Sequence, residues 1–323
     1  MEFRLLGPLE LRGGGGEVIP LRAARQRSLL AGLLLSANQV VSVRRLVNVV
    51  WGQSSPTSAV ANLRTHVTGL RRLLSAAEGG ADSPGGAVRL GTRPGGYQLT
   101  VLPGELDLTV FEELVAQGRH ALRQRCPADA APYFGRALRL WRGQPLENVL
   151  LYGSGEADLA RLEEVRPAVV EDWLRARLAC GEHAEVIGEL RALVVEQPLR
   201  ERLWALLMLA LHRTGRRADA LGAYDQARAR LVDELGLDPG RELSALHQRI
   251  LNGDPALTAG PAGAVGWEPL PGSTPVTAGA TPVVAGPPPA MTAPVAAAKA
   301  GPSSLESPEA EAVPGRERPT APL

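Results

Sequence analysis

The sequence ANLRTHVTGLRRLLS, residues 61–75, predicts an amphipathic helix with an all-positive polar face. Leu63, Val67, Leu70 and Leu74 recur at the spacing of a helix, so they form one apolar stripe that needs a core. The opposite face carries polar and arginine side chains and no acidic residue. A helix that buries leucines and presents only positive charge is suited to lie against a polyanion.

The positive charge of the chain is concentrated in its first third. Residues 1–103 contain 12 arginines and 5 acidic residues, a net charge of +7, although the whole chain carries only +1. Residues 104–251 and residues 252–323 each carry a net charge of −3. This distribution indicates that the first third of the chain binds a polyanionic partner.

Glycine and proline punctuate the first 20 residues. The short apolar runs between them predict a small antiparallel meander, and the four glycines at 13–16 are interpreted as a turn. A phosphate-binding loop at this place would need a nearby lysine, and the only lysine of the chain is Lys299.

Two helices are predicted between the meander and the quoted stretch. The first spans about residues 23–36 and carries a cluster of leucines. The second, SVRRLVNVVWG, spans residues 42–52. Ser42 is suited to cap it, its apolar residues recur at helical spacing, and Gly52 is suited to end it.

The quoted stretch belongs to a third helix, and a hairpin follows. Ser55 and Pro56 suit a cap and a first turn, so this helix is predicted to run from there to about Ser75. VRLGTRPGGYQLTV at 88–101 predicts two short strands around a turn. Together these elements describe a winged helix of the response-regulator type. The third helix of such a fold enters the major groove of DNA, and the hairpin, or wing, reaches the neighbouring backbone or minor groove.

Six polar side chains lie on or beside the face opposite the apolar stripe: Asn62, Arg64, Thr65, Thr68, Arg71 and Arg72. Arginine can pair with guanine, asparagine with adenine, and threonine can approach the thymine methyl group. We therefore expect Arg72 and Thr68 to read bases, with Thr65 and Asn62 in second place. Arg64, Arg71 and Arg93 of the wing are expected to contact phosphates, which position a protein without specifying sequence.

Other conspicuous residues have a structural interpretation. The polar face of the quoted stretch alone could equally be a solvated surface, but its lack of acids, the local net charge and the wing favour DNA binding. His66, at the edge of the apolar stripe, is interpreted as a packed or boundary residue. The tryptophans of the amphipathic segments are assigned to core packing rather than base stacking: Trp51, Trp141, Trp173 and Trp204.

The middle of the chain predicts about seven helices. ADAAPYFGRA at 128–137 is similar to ADALGAYDQA at 218–227, and Gly181 and Gly215 lie 34 residues apart in a second pair of similar segments. This is the period of tetratricopeptide repeats, in which pairs of helices stack. Pro167 falls inside one helical pattern and is expected to kink or split that helix.

The whole sequence thus predicts a mainly α protein with a small β part. Residues 1–103 are assigned to a winged-helix DNA-binding domain of the response-regulator type, and residues 104–252 to an all-α, tetratricopeptide-like bundle. Residues 253–323 are assigned to a disordered tail, since 15 of the 27 prolines lie between 252 and 323 and aromatic residues are almost absent. Such a segment buries too little apolar surface to offset its ordering entropy.

The motifs of an enzyme are missing from the sequence. Five scattered histidines, no G-x-S-x-G and no phosphate loop provide no assembled nucleophile and base, so catalysis is not expected. Cys126 and Cys180 are far apart and lack CxxC spacing, which predicts neither a disulfide nor a metal site, and no cofactor is expected. Both are expected to be buried or half-buried.

Two further expectations concern location and class. The N-terminus lacks the pattern of a signal peptide, and no apolar run is long enough to span a bilayer, so a cytoplasmic, nucleoid-associated protein without a membrane partner is expected. A scaffold of helical repeats that binds proteins is the alternative to a DNA-binding protein. Such a scaffold would not need the basic first third.

Several segments together resemble one known family. LRAARQRSLLAGLLL, VSVRRLVNVVWG, ANLRTHVTGLRRLL and RPGGYQL resemble the DNA-binding half of the Streptomyces antibiotic regulatory proteins (SARPs). The segment from ARLEEVRPAVVEDW to DELGLDPG, residues 160–240, resembles their bacterial transcriptional activator domain. The resemblance covers about residues 2–251 and implies a sequence-specific, DNA-binding transcriptional activator of an antibiotic or other secondary-metabolite gene cluster.

The same resemblance implies the partners. Family members bind direct repeats in double-stranded promoter DNA near the −35 region, as protomers side by side, and recruit the RNA polymerase holoenzyme. Gly69 departs from the family pattern, in which a larger residue is usual at this position. The base preference or the affinity for DNA is therefore expected to differ from that of other family members.

Overall fold

The computed structural model of the chain describes residues 1–78 and 89–258. These residues form six strands and ten α-helices. The strands are β1 Glu2–Arg4, β2 Glu10–Arg12, β3 Val18–Ile19, β4 Val40–Ser42, β5 Leu90–Arg93 and β6 Gly96–Leu99. The helices are α1 Ala24–Leu34, α2 Val43–Trp51, α3 Ala59–Ala77, α4 Asp107–Arg123, α5 Pro127–Leu138, α6 Ser154–Ala179, α7 His183–Glu196, α8 Glu201–Arg213, α9 Arg217–Leu235 and α10 Arg241–Leu251. The predicted mainly α class with a small β part is confirmed.

The winged helix has the predicted meander, three helices and wing. The strands β1, β2 and β3 form one antiparallel sheet, and β4, β6 and β5 form a second sheet in that order. The strand β4 was not predicted. It pairs with β6, with Val41 opposite Tyr97, and a strand of three residues is too short to show an alternating pattern.

The helix α2 has the ends that the sequence predicts. Ser42 Oγ accepts a hydrogen bond from the backbone N–H of Arg45 at 3.2 Å. Gly52, just after the helix, has φ of 61°, a left-handed conformation that glycine adopts without strain.

The helix α3 begins at Ala59, so the predicted start at Ser55 and Pro56 is wrong. The backbone N–H of Ala59 donates to the carbonyl of Pro56 at 2.9 Å, which closes a turn before the helix. Residue 58 is the N-cap, without a side-chain hydrogen bond to the helix backbone. Because several serines precede the helix, capping preference alone could not choose between them.

The second part is a bundle of seven helices, α4 to α10, in which helices adjacent in sequence pack together. The repeated segments lie in α5 and α9, where the matching alanines are fully buried: Ala130, Ala137, Ala220 and Ala227. Gly181 and Gly215 have φ of 92° and 79° in the turns before α7 and α9. The repeat found in the sequence therefore corresponds to helix pairs with equivalent turns.

The equivalent turn before α5 has Arg125, with φ of 58°, where the other turns have glycine. Its exposed side chain makes no hydrogen bond or ion pair within the described residues.

A left-handed conformation costs a non-glycine residue such as Arg125 about 1–2 kcal/mol. This cost exceeds the loss of stability that glycine causes through its larger backbone entropy in the unfolded chain. Arg125→Gly should therefore raise the free energy of unfolding by about 0.5 kcal/mol in urea titrations. Gln124→Gly, at a position with ordinary φ, should lower it, and a loss of stability in Arg125→Gly would contradict the strain argument.

The helix α6 is continuous from Ser154 to Ala179 with Pro167 inside it, so the helix is not split there, and the alternative prediction of a kink stays a prediction. A proline removes one backbone hydrogen bond of the helix. The buried side chains of Leu162 and Val169 flank this position and pack into the core, which offsets that loss. Proline also lies inside α5, at Pro132.

Both cysteines are exposed and unpaired, which contradicts the expectation that they are buried or half-buried. Cys126 immediately precedes α5 and Cys180 immediately follows α6, so each lies in a turn at a helix end rather than on a packed helix face. The described residues contain no group of His, Cys, Asp or Glu side chains that could hold a metal ion. None of the helices in the described ranges is long and apolar enough to cross a membrane.

The segment 139–153, between α5 and α6, lies along the winged helix. The N–H of Leu146 donates to the carbonyl of Gly7 at 2.7 Å, and the N–H of Tyr152 donates to the carbonyl of Val49 at 3.0 Å. Leu151 and Leu146 are buried in the same core as the helices of the winged helix. The two parts therefore share packed surfaces, and the boundary between residues 103 and 104 stays a prediction.

A second connection joins β1 to the start of α4. The Asp107 carboxylate accepts hydrogen bonds from the backbone N–H of Leu5 at 2.8 Å and of Leu6 at 2.9 Å. Its side chain is buried. Burial raises the pKa of Asp107, and the two backbone donors and Arg142 oppose that rise. This carboxylate thus serves a structural role between the two parts.

Residues 253–258, assigned to the tail from the sequence, belong to the bundle. Pro255–Leu257 form a short 3-10 helix, and Leu257 is fully buried. The predicted disordered segment from residue 259 onward lies outside the described residues, as does the glycine-rich connection at 79–88.

Glu112 of α4 is a half-buried acid with no hydrogen bond or ion pair within the described residues. Burial, and to a lesser degree the neighbouring Glu113, raise the pKa of Glu112 from 4.5 to about 7. The folded state therefore keeps the proton up to about pH 7, whereas the unfolded chain releases it near pH 4.5. Because the unfolded state binds fewer protons between these values, the folded state loses stability as the pH rises through this window.

Glu112→Gln should remove this loss. We expect the variant to be more stable than the wild type by about 1–2 kcal/mol above pH 7 and almost equal to it near pH 4.5. Denaturant titrations at several pH values measure the difference. Glu113→Gln, an exposed change on the same helix, removes only the lesser cause of the raised pKa and should show a much smaller pH dependence. A constant stability difference for Glu112→Gln would argue against a raised pKa.

Candidate nucleic-acid interface

The helix α3 buries one side and exposes the other, as its sequence predicts. The apolar stripe of Leu63, Val67, Leu70 and Leu74 is at most 2% exposed and packs into the core of the winged helix. The polar positions of the opposite face are exposed: Asn62, Arg64, Thr65, Thr68 and Arg72. The leucines therefore hold the polar face in a fixed position on the surface.

The guanidinium groups of Arg64 and Arg72 have no partner among the described residues. Neither side chain makes a hydrogen bond or ion pair there, although most other described arginines do. A guanidinium without a carboxylate keeps its full charge and all five N–H donors available. These two side chains can therefore bind guanine edges or phosphates directly.

The hydroxyl groups of the two threonines bond to the helix backbone. Thr65 Oγ1 donates to the carbonyl of Ala61 at 3.3 Å, and Thr68 Oγ1 donates to that of Arg64 at 3.0 Å. Since the hydroxyl protons are used, these residues offer DNA a methyl group and an oxygen acceptor. The Asn62 amide donates one N–H to Ser58 Oγ at 3.1 Å, which leaves its second N–H as a donor and its carbonyl oxygen as an acceptor.

Arg71 attaches α3 to the wing. Its Nε donates to the carbonyl of Leu90 at 2.8 Å, and its Nη2 donates to Thr92 Oγ1 at 2.8 Å. The side chain is half-buried, so its guanidinium has a structural role as well as a charge. A phosphate contact by its remaining N–H groups stays a prediction.

The wing places Arg93 beside α3. Arg93 is exposed, and its Nε donates to Gln98 Oε1 at 2.9 Å. A groove of about 280 Å³ separates the wing from the first half of α3, with Arg64 and Arg93 among its lining residues. Gly96 permits the close approach of β6 to β4, because a Cβ there would lie 2.0 Å from the carbonyl oxygen of Val41.

Arg44 is an additional positive residue that sequence reasoning did not select. The backbone N–H of Val43 donates to the carbonyl of Gly95 in the wing turn at 3.3 Å, so the start of α2 lies next to the wing. Arg44 follows Val43, is exposed and makes no hydrogen bond or ion pair within the described residues. Its charge was visible in the sequence, but its position beside the wing depends on the pairing of β4 with β6.

The buried side of α3 contacts two other elements. The His66 ring lies 6.2 Å from the Trp51 ring between centroids, and burial together with the charge of Arg25 lowers the pKa of His66. This confirms the boundary interpretation of His66. At Gly69, a Cβ would lie 2.3 Å from Gln26 Nε2, so the Gln26 amide occupies the space that a larger residue would need.

The structure thus brings all seven predicted site residues to α3 and the adjacent wing. Two parts of the chain match known families: residues 16–84 match the family described as transcriptional regulatory protein, C terminal, and residues 106–251 match the bacterial transcriptional activator domain. The regulatory protein DnrI of Streptomyces peucetius is 37% identical over 257 residues, which cover 80% of this chain and 94% of DnrI.

The chain belongs to the SARP family. It is a DNA-binding transcriptional activator of the SARP type.

Two other relatives are longer than the matched region. The regulatory protein AfsR of Streptomyces griseus is 37% identical over 80% of this chain and 25% of AfsR. The solved structure titled Mycobacterium tuberculosis EmbR in complex with low affinity phosphopeptide superimposes on this SARP with a TM-score of 0.72 at 35% identity, over 78% of this chain and 65% of EmbR. That match extends over the winged helix and the bundle together.

Proposed function

We propose that this SARP activates a secondary-metabolite gene cluster from direct repeats near the −35 region of its promoters. Two protomers bind side by side on double-stranded DNA and recruit the RNA polymerase holoenzyme. The protein acts in the cytoplasm, on the nucleoid, and needs neither a cofactor nor a catalytic step. The observation that carries this proposal is the acid-free face of α3, where Arg64 and Arg72 have no partner among the described residues.

The site residues divide into two roles. Arg72 and Thr68 read bases, with Thr65 in support, because these three point away from the leucine stripe. Asn62 supports them from one flank of the helix. Arg64 and Arg71 contact phosphates from the flank of α3 that faces the wing, and Arg93 does so from the wing itself. Arg44 joins this second group, because it is exposed and follows Val43, whose N–H donates to the carbonyl of Gly95 in the wing turn.

The salt dependence of binding tests the phosphate contacts. About four neutralised phosphates per protomer predict a slope of about −3.6 in a plot of log affinity against log salt concentration. Affinity should then fall roughly 150-fold per protomer between about 50 and 200 mM salt. Gel shifts with promoter fragments of the neighbouring gene cluster measure this slope, and an affinity independent of salt would exclude the proposed interface.

A footprint identifies the operator itself. The protein should protect two direct repeats upstream of a promoter, and Arg93→Ala should weaken binding to all sequences alike and reduce the slope by about 1. Equal protection of scrambled DNA would show that α3 does not read sequence.

A further inference from the structure

A second cleft, of about 470 Å³, lies where the winged helix meets the helical bundle. One wall comes from α1 and the turn after α2, and the other from residues 152–156 at the start of α6. We propose that this cleft binds a small planar aromatic acid and that the bound acid alters the affinity of α3 for DNA. The second half of the proposal depends on the DNA-binding function above, whereas the first does not.

The cleft contains a cation between two aromatic rings. The Arg25 guanidinium carbon lies 5.8 Å from the centroid of the Trp51 ring and 5.9 Å from that of the Tyr152 ring. Arg25 donates to the carbonyl of Val50 and has no carboxylate partner within the described residues. Both rings are half-buried, so each keeps an accessible surface. An anion that also carries a flat ring would satisfy both features of the site.

The walls of the cleft are held in place by two glycine turns that pack against each other. Gly52 and Gly153 both have positive φ, of 61° and 53°. A Cβ on Gly52 would lie 3.0 Å from the Cβ of Tyr152, and one on Gly153 would lie 2.2 Å from Asn48 Oδ1. Asn48 Oδ1 accepts a hydrogen bond from Ser154 N–H at 2.9 Å. A cleft built in this way is already formed before a ligand arrives, which reduces the entropy cost of binding.

The remaining polar groups of the cleft specify oxygen substituents. The Tyr152 hydroxyl and the side chains of Gln53 and Ser54 make no hydrogen bond within the described residues. The Glu156 carboxylate accepts from Gly153 N–H at 3.0 Å at the rim, where it can also accept a ligand hydroxyl. The volume accommodates a fused ring system. The ligand class is therefore an oxygenated, planar aromatic carboxylic acid whose acid group pairs with Arg25.

Two contacts connect the cleft to α3. Trp51, whose ring forms one wall, is next to His66 of α3. Gln26, which follows Arg25 on α1, lies over Gly69 of the same helix. A ligand that moves Arg25 or the Trp51 ring therefore acts on two positions of the helix that reads DNA.

The first experiment measures binding without DNA. The full chain is titrated calorimetrically with anthraquinone-2-carboxylate and, as a neutral comparison, anthraquinone-2-carboxamide. An acid of this size should bind with a Kd of roughly 10–100 µM, and the amide should bind at least tenfold more weakly. No binding of the acid up to 1 mM, or equal binding of acid and amide, would overturn the proposed site.

Variants locate the site. Arg25→Gln and Tyr152→Leu should each weaken binding of the acid at least tenfold, and either variant suffices if the other does not fold. Arg161→Gln removes the same charge from an exposed position on α6, and it should bind like the wild type. Unchanged binding in folded Arg25→Gln or Tyr152→Leu would place the acid elsewhere and overturn the assignment.

The second experiment tests the connection to DNA. Saturating acid should change the Kd for operator DNA at least threefold in the wild type and leave that of Arg25→Gln unchanged. Binding of the acid without any effect on DNA affinity would overturn the coupling while leaving the site. A failure of operator binding in the absence of the acid would instead count against the DNA-binding function.

Discussion

Arg72→Ala should weaken binding to the operator by about 1–3 kcal/mol, which is roughly 5- to 150-fold, and should relax the sequence preference at one base pair. The reason is that Arg72 is exposed opposite the leucine stripe and has no partner among the described residues. Its guanidinium can therefore enter a groove without first breaking a contact to the described residues, and the substitution should remove the proposed bidentate base contact.

Gel shifts on the operator and on its single-base variants measure this effect. In the wild type, one substituted base pair should lower affinity, whereas Arg72→Ala should bind the original and the variant alike. Arg64→Ala, on the flank of the same helix, provides the matched control and should weaken binding to both DNAs equally. If Arg64→Ala loses base preference and Arg72→Ala does not, the two roles are reversed.

Asp107→Ala should lower the free energy of unfolding by about 2–5 kcal/mol. The substitution leaves the backbone N–H groups of Leu5 and Leu6 buried without an acceptor, and each such group costs about 1–3 kcal/mol. The effect is large because this one carboxylate accepts both hydrogen bonds. The two donors lie more than 100 residues away in the sequence, so the bonds connect the winged helix to the bundle. Chemical denaturation followed by circular dichroism measures the change.

Two comparisons separate the hydrogen bonds from the charge. Asp107→Asn keeps an oxygen acceptor and should recover part of the lost stability. Glu113→Ala, an exposed change on the same helix, should stay within about 0.5 kcal/mol of the wild type. A small effect of Asp107→Ala would mean that water or a shifted backbone replaces the carboxylate.

Much of the winged helix could be predicted because its signals are local. The Ser42 cap, the Gly52 end and the leucine stripe of α3 depend on residues within a few positions of each other, and the structure confirms them. The start of α3 could not be predicted, since serines on either side of Pro56 are equally good caps. The strand β4 pairs with β6, more than 50 residues later in the sequence. A local sequence pattern cannot predict a strand that depends on such a distant partner.

The contacts between the winged helix and the bundle could not be predicted from the sequence. Tyr152 and Asn48 are unremarkable in their own segments, and their importance comes from the packing of two glycine turns against each other. The role of Arg71 was predicted only in part. Its charge and flank position were visible, whereas its hydrogen bonds to β5 depend on where the wing folds back. Contacts with DNA stay predictions for all seven site residues.

The segment 139–153 fixes the angle between the winged helix and the bundle, since it is hydrogen-bonded to residues 5–7 after β1, to α1 and to α2. In the proposed side-by-side arrangement, two such rigid molecules would keep a constant mutual orientation only if the centres of their sites were separated by whole turns of about 10–10.5 base pairs. An insertion of half a turn would then place one molecule on the opposite face of the duplex and should abolish any contact between the two, even with both sites intact.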